Sequence, residues 1–163
     1  MTQLEVIKNK VDKLLELMLV VVLSVLVLDV LWQVASRYLL SDPSNFTDEV
    51  ASFLLIWVGL LGASYVTGKR QHLALNILLN KLSTDNLRHL KLVIHLITIA
   101  FAIAVMMVGG IWLIYTRFHL GQVSASLQIP IGYVYLVIPL SGTFIIFYSV
   151  VNAIEDFKTD TVK

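Results

Sequence analysis

The chain has no cysteine, only three prolines and little charge, since Asp, Glu, Lys and Arg make up 14% of its 163 residues. Without cysteine it can form no disulfide and carry out no thiol redox chemistry or thiolate metal binding. This excludes the membrane thiol oxidases, a class that would otherwise suit a chain of this size. Hydrophobic residues make up 58% of the sequence and the mean hydropathy is +0.84, far from the soluble average. The composition therefore indicates a membrane protein.

Four long apolar stretches carry most of this hydrophobic content. They cover residues 17–36, 50–67, 92–116 and 133–154; none contains Lys or Arg, and Asp29 is the one acid within them. A helix needs ~20 mostly apolar residues to cross a bilayer core, and it satisfies its own backbone hydrogen bonds there. The sequence predicts an all-α integral membrane protein, a single membrane domain of four transmembrane helices.

Positive charge lies mainly on one side of these stretches. Ten of the twelve Lys and Arg residues fall in the N-terminal arm, the segment between the second and third stretches, and the C-terminal tail. The other two loops hold Arg37 and Arg117. An even number of spans puts both termini on one face, and the positive-inside rule makes that face cytoplasmic. We therefore expect both termini to be cytoplasmic.

Two further segments are amphipathic at the helical period. Residues 2–13 carry apolar and charged side chains on different faces, which fits either a helix at the cytoplasmic headgroup boundary or a simple extension of the first span. In residues 71–82, His72, Asn76 and Asn80 recur every fourth residue, opposite a leucine face and close to Lys81. That segment is too short and too polar to span, so we expect an interfacial helix there.

Polar residues follow one stripe along the first span. Asp29 sits where a carboxylate costs ~2.5–3.5 kcal/mol to insert, and Gln33, Ser36 and Arg37 follow it at helical spacing towards the outer surface. Such a stripe favours a helix interface or an internal hydrogen bond over proton carrying, although the sequence leaves both open.

Charged residues also meet at the outer ends of the first two spans. Arg37 ends the first stretch, while Asp48 and Glu49 begin the second, where the helix dipole favours acids. The connecting loop is short, so Arg37 either pairs with one of these acids or extends to the lipid headgroups. Both alternatives remain open.

Small and aromatic residues suggest how the spans meet neighbours and lipid. Gly59 and Ala63 form a small-xxx-small pair that permits close helix approach, and the pairs at 109–110 and 141–142 could do likewise. Trp32 and Trp57 fit an aromatic belt at the membrane interface.

Histidine placement argues against a haem or metal site. His95 is the one histidine within a span, so no facing pair exists at its depth and an interhelical hydrogen bond is the expected role. The sequence has no phosphate-binding loop, paired carboxylates or Ser/His/Asp arrangement. We expect no enzyme, no cofactor and no metal site.

Several short motifs follow one another along the chain. They are Arg37-Tyr38, Phe46-Thr47-Asp48-Glu49, Phe53-Leu54-Leu55-Ile56-Trp57, Gly59-Leu60-Leu61-Gly62-Ala63, Lys69-Arg70-Gln71-His72-Leu73, Ser126-Leu127-Gln128-Ile129-Pro130 and Tyr135-Leu136-Val137-Ile138-Pro139. By their order and spacing the chain resembles, over essentially its full length, the small membrane subunit (Q-type, DctQ-like) of tripartite ATP-independent periplasmic (TRAP) transporters. Three positions depart from that pattern. Phe46 stands where Trp is common, Asp48 where Glu is common, and Asn76 where an acid is common.

The resemblance implies a scaffold role in the bacterial inner membrane. In that family the small subunit pairs with a much larger membrane subunit, which holds the substrate and sodium sites and moves as an elevator. A soluble periplasmic binding protein delivers an organic acid such as a C4-dicarboxylate or a sialic acid. The partners implied are these two proteins and the lipid bilayer, with no substrate site on this chain and no nucleic acid.

The same resemblance suggests where the partners bind. The polar stripe of the first span, the acids Asp48 and Glu49, and the small-residue face of Gly59 and Ala63 are candidates for contact with the large subunit. The outer loops 41–46 and 121–132 are candidates for docking the binding protein. One alternative stays open: a self-sufficient proton-coupled exporter that acts as a homodimer through Asp29.

Overall fold

The computed structural model describes residues 3–39, 44, 46–69 and 84–160. Within these residues the chain forms long helices and a single isolated β-bridge, with no strand. Four helical segments are long and apolar enough to cross a membrane: Glu5–Tyr38, Thr47–Gly68, Leu90–His119 and Ile131–Asp156. Each predicted apolar stretch lies within one of them, which confirms the all-α membrane class and the four spans.

The first span belongs to one long helix, α1 (Gln3–Tyr38), of 36 residues. At 1.5 Å per residue it is ~54 Å long, well above the ~30 Å of a bilayer core. The N-terminal amphipathic residues therefore continue the first span without a break, as in the second of the two alternatives above. α2 (Thr47–Gly68) is shorter, at 22 residues.

The third span changes its helical geometry part of the way along. α3 (Thr84–Phe101) leads into a π-helical segment (Ala102–Gly109) and then into α4 (Gly110–His119). A π-helix has i→i+5 hydrogen bonds and a wider turn than an α-helix, and it usually lasts only one turn. Here it runs for eight residues.

The fourth span begins with a 3₁₀ turn (Ile131–Leu136) and continues as α5 (Val137–Asp160). α5 packs against α2, α3 and the π segment, while α1 packs mainly against α2. Leu15, Leu61, Val137 and Tyr148 form one buried cluster, and a second, smaller cluster lies where α5 meets the π segment.

Two glycines allow α5 to approach the third span closely. A Cβ on Gly142 would lie 2.9 Å from Met106 Cβ, and one on Gly110 would lie 2.9 Å from Ile138 Cγ2. Both distances are shorter than side-chain carbons tolerate, so the helices can only approach this far without side chains at these positions. The small residues expected to permit close packing at 109–110 and 141–142 do so at Gly110 and Gly142.

Most large apolar side chains point away from the bundle, as expected of a chain surrounded by lipid or by another membrane protein. The predicted interfacial helix at 71–82, with His72, Asn76, Asn80 and Lys81, lies outside the described residues, and so does most of the loop 41–46. These two features stay predictions.

Candidate functional site

The first candidate region is the end of the bundle where α2 begins, which we call the outer end after the predicted orientation. There Glu49 accepts hydrogen bonds from three successive backbone amides of the loop between α4 and the fourth span. The distances from its carboxylate oxygens are 2.8 Å to Ala125 N, 3.0 Å to Ser126 N and 3.0 Å to Leu127 N. Hydrogen bonds to an ionised acceptor are roughly twice as strong as neutral ones. Glu49 therefore ties the start of α2 to the opposite loop.

The loop itself has a defined shape around this carboxylate. An antiparallel bridge joins Val123 and Pro130, and the Ser124 amide donates to Ile129 O at 2.9 Å. Gln128 has φ +56°, a left-handed conformation uncommon outside glycine, and its side-chain amide donates to Ala125 O at 2.9 Å. The chain thus reverses tightly, and the amides at its tip point towards α2.

The neighbouring acid, Asp48, contacts α1 and not the loop. The Gln33 side-chain amide donates to Asp48 Oδ1, which joins α1 to α2. Ser36 is buried and its hydroxyl donates to Gln33 O at 3.0 Å. Within the described residues Arg37 forms no ion pair with Asp48 or Glu49, and its side chain is exposed. Of the two alternatives for Arg37, the structure does not have the pairing.

Two predicted partner-interface positions face outward. Gly59 and Ala63 are both exposed, and a Cβ on Gly59 would meet nothing within 4 Å. Among the described helices, none uses the close approach that this pair permits. Asp29 differs from them, because its Oδ2 is buried and accepts no hydrogen bond from any described residue. Contact of these residues with a partner stays a prediction.

The two tryptophans predicted at the membrane interface differ in their surroundings. Trp57 is half-buried, and its indole N–H donates to Val134 O at 3.0 Å, which links α2 to the start of the fourth span. Trp32 is 53% exposed on α1. Their depth in a bilayer stays a prediction, but Trp57 also has a structural role that the sequence analysis missed.

The second candidate region lies at the opposite, inner end of the bundle, and the sequence did not predict it. Asp12 of α1 is buried and accepts a 2.6 Å hydrogen bond from the Tyr148 hydroxyl of α5. Its other oxygen lies 3.2 Å from Lys69 Nζ, just after α2. This hydrogen bond raises the pKa of the Lys69 ammonium above its ordinary value. One carboxylate thus joins three spans.

Further polar contacts surround Asp12. The Tyr65 hydroxyl donates to Glu16 Oε1 at 2.8 Å, and the Asn152 side-chain amide donates to Thr67 O at 3.0 Å. Lys8 Nζ lies 3.5 Å from both Asn152 Oδ1 and Glu155 Oε2. The signal that could have found this cluster is a set of polar residues at the inner ends of α1, α2 and α5, all expected at one membrane depth.

His95 follows its predicted role. Its Nε2 lies 3.1 Å from Asp156 Oδ2, a hydrogen bond between α3 and α5, and Lys91 Nζ lies 3.9 Å from the other oxygen of Asp156. In the part of the chain that the structure describes, no group of three or more His, Asp and Glu side chains could hold a metal ion. The polar side chains at both ends mainly join the chain's own helices.

These features define a multi-pass α-helical membrane protein whose spans are tied together at both ends. The sequence matches the family described as tripartite ATP-independent periplasmic transporters, DctQ component, over residues 17–159. The chain therefore belongs to this family, that of the small permease subunits of TRAP transporters. It is a family of transporter membrane subunits, not of enzymes.

Two relatives illustrate this membership. A protein from Haemophilus influenzae that carries the name of a TRAP transporter small permease protein is 23% identical over 135 residues, which cover 83% of this chain and 82% of the relative. The sialic acid TRAP transporter small permease protein SiaQ of Vibrio cholerae is 25% identical over 80 residues, or 49% of this chain and 46% of the relative.

Proposed function

We propose that this chain is the scaffold subunit of a TRAP transporter in the bacterial inner membrane. It pairs with a large elevator-type membrane subunit, and the pair carries out sodium-coupled uptake of an organic acid delivered by a periplasmic binding protein. The observation that carries the proposal is the family match over residues 17–159. In this arrangement the large subunit binds and moves the substrate, while the present chain stays fixed in the bilayer.

The geometry supports a fixed part in two ways. Polar contacts at both ends of the bundle join α1, α2 and α5 or the outer loop, so the spans resist sliding past one another. By contrast, Gly59 and Ala63 on α2 are exposed, and a Cβ on Gly59 would meet no described residue within 4 Å. A rigid bundle with an exposed small-residue face suits a subunit that supports a moving neighbour.

The substrate class follows from the relatives and the resemblance together. The Vibrio cholerae relative is named for sialic acid, and the wider family pattern includes C4-dicarboxylates. Because this chain makes no contact with substrate in the proposed arrangement, either organic acid is compatible with it. The binding protein and the large subunit would select between them.

The proposal is tested by reconstitution in proteoliposomes. The chain is combined with its large subunit, the binding protein, a sodium gradient and a labelled C4-dicarboxylate or sialic acid. We expect uptake only when all three proteins and the gradient are present. Equal uptake without this chain would contradict the scaffold role.

A proton-coupled exporter is the second candidate, and the unpartnered Oδ2 of Asp29 is the observation that favours it. The chain alone in proteoliposomes, with a proton gradient, distinguishes the two functions. An exporter would show flux that Asp29→Asn abolishes almost completely. The scaffold shows no flux alone. Asp29→Asn leaves uptake by the complete transporter within about threefold of wild type, since at most one polar contact with the large subunit is lost and such a contact contributes ~0.6 kcal/mol on average in a membrane.

A further inference from the structure

Glu49 occupies a binding site made by its own chain. Three successive amide groups that point to one spot form an anion-binding concavity, and here the tip of the outer loop, residues 125–127, surrounds the Glu49 carboxylate. Glu49 is the acceptor for all three amides among the hydrogen bonds the structure shows. The residue and the tip are separated by 76 to 78 positions in the sequence.

The base of this loop is held independently of Glu49. The Ile131 amide donates to Gln122 O at 3.0 Å, and the Ser124 amide donates to Ile129 O at 2.9 Å. Loss of the Glu49 carboxylate would leave those bonds in place and release only the amides at the tip. The carboxylate therefore helps to hold the tip, beside the Gln128 side chain that donates to Ala125 O, and is not needed to form the loop.

The tip presents an uncharged surface. No residue from 121 to 132 is charged, and the exposed side chains around the tip include Val123, Ser126, Gln128 and Ile129. The loop itself offers a partner no charged side chain, so we expect a partner that docks on it to recognise its shape. Recognition by shape is weakened when the loop has to be ordered on binding, because that ordering costs free energy.

We propose that Glu49 is a positioning residue that holds the outer loop in the conformation to which the periplasmic binding protein docks. The inference rests on the proposed function, in which such a protein delivers the substrate at this end of the bundle. The expectation from sequence that Glu49 contacts the large subunit directly stays a prediction, which the experiment below also tests. In this proposal Glu49 acts through the loop and contacts neither the substrate nor the coupling ions.

The test measures uptake by the complete transporter as a function of binding-protein concentration. For Glu49→Gln we expect the half-saturating concentration of binding protein to rise about tenfold, since a neutral amide replaces an ionised acceptor. Maximal uptake should stay within about twofold of wild type, and the two membrane subunits should still co-purify. Glu49→Asp keeps the carboxylate and should restore part of the lost affinity.

A control variant and a direct probe of the loop complete the design. Ser52→Ala removes a hydroxyl that donates to the Asp48 backbone oxygen, about one turn further along the same helix, and should leave the half-saturating concentration unchanged. Because the chain has no cysteine, a spin label at Ser126→Cys reports on the tip alone. Its mobility should increase in Glu49→Gln and not in Ser52→Ala.

Three outcomes would overturn the inference. The first is an unchanged half-saturating concentration in Glu49→Gln. The second is loss of co-purification, which would assign Glu49 to the contact between the membrane subunits. The third is a fall in uptake by the same factor at every concentration of binding protein, with the half-saturating concentration unchanged. If wild-type uptake nevertheless needs all three proteins, the proposed function stands and only the role of Glu49 fails.

Discussion

Asp12 and Tyr148 are 136 positions apart in the sequence, yet their side chains share a 2.6 Å hydrogen bond at the inner end of the bundle. Tyr148 is fully buried, and Gly68 makes room for its ring: a Cβ at Gly68 would lie 2.7 Å from Tyr148 Cε1. A buried carboxylate destabilises a fold unless its oxygens have hydrogen-bond partners. Tyr148 and Lys69 together supply these partners for Asp12.

Removal of the Tyr148 hydroxyl tests this contact. Tyr148→Phe leaves one oxygen of Asp12 without its donor, so we expect a loss of about 1–3 kcal/mol in the free energy of unfolding. Thermal unfolding of the purified chain in detergent measures it. The control is Tyr38→Phe, because Tyr38 is 76% exposed and should not change the melting temperature. Equal melting temperatures for the two variants would mean that the hydrogen bond contributes no stability.

At the scale of elements, the third span stands out because its middle part, Ala102–Gly109, is a π-helix. α5 packs closely against this segment, with Gly142 beside Met106. The close approach depends on the glycine in α5, because a side chain there would meet Met106. Gly109 lies in the same segment, but a Cβ on Gly109 would lie 3.8 Å from Ala104 O, an ordinary van der Waals distance.

A pair of alanine substitutions separates these two glycines. Gly142→Ala places a methyl group 2.9 Å from Met106 Cβ, and we expect a cost of about 1–3 kcal/mol because well-packed helices cannot absorb an added carbon. Gly109→Ala should be neutral or stabilising by up to about 1 kcal/mol, since alanine favours helices. Melting temperatures in detergent compare them. A larger loss for Gly109→Ala would contradict the packing described here.

At the scale of the whole molecule, polar contacts join the helices to one another, while one face of α2 is exposed. The polar contacts at the inner and outer ends leave Gly59 and Ala63 exposed. We propose this face as the surface that the large subunit covers, because small residues let a neighbouring backbone approach closely.

Bulky substitution of this face tests the contact. Gly59→Leu with Ala63→Leu should abolish co-purification with the large subunit and reduce uptake at least tenfold, because the added side chains prevent close approach. The matched control is Ala100→Leu with Ala104→Leu, another exposed i, i+4 pair of small residues, in the third span. If the control pair disrupts assembly and the α2 pair does not, the large subunit binds the third span instead.

Particular residues mark the limits of prediction from sequence. The hydrogen-bonding role of His95 was predictable, because a lone histidine in a span needs a partner on another helix. The role of Glu49 was not, because its partners are backbone amides, which any residue carries. The π segment was also hidden, since its sequence is as apolar as that of an ordinary transmembrane helix.

The sequence by itself determined the membrane class, the number of spans and the family, because hydropathy and short motifs are local properties that need no knowledge of packing. Only the tertiary structure decided which polar groups pair: Asp12 with Tyr148 and Lys69, and Glu49 with the outer loop. Pairing depends on the depth and rotation of each helix relative to its neighbours. Those quantities are set by how the helices pack against one another, and a linear sequence does not record them.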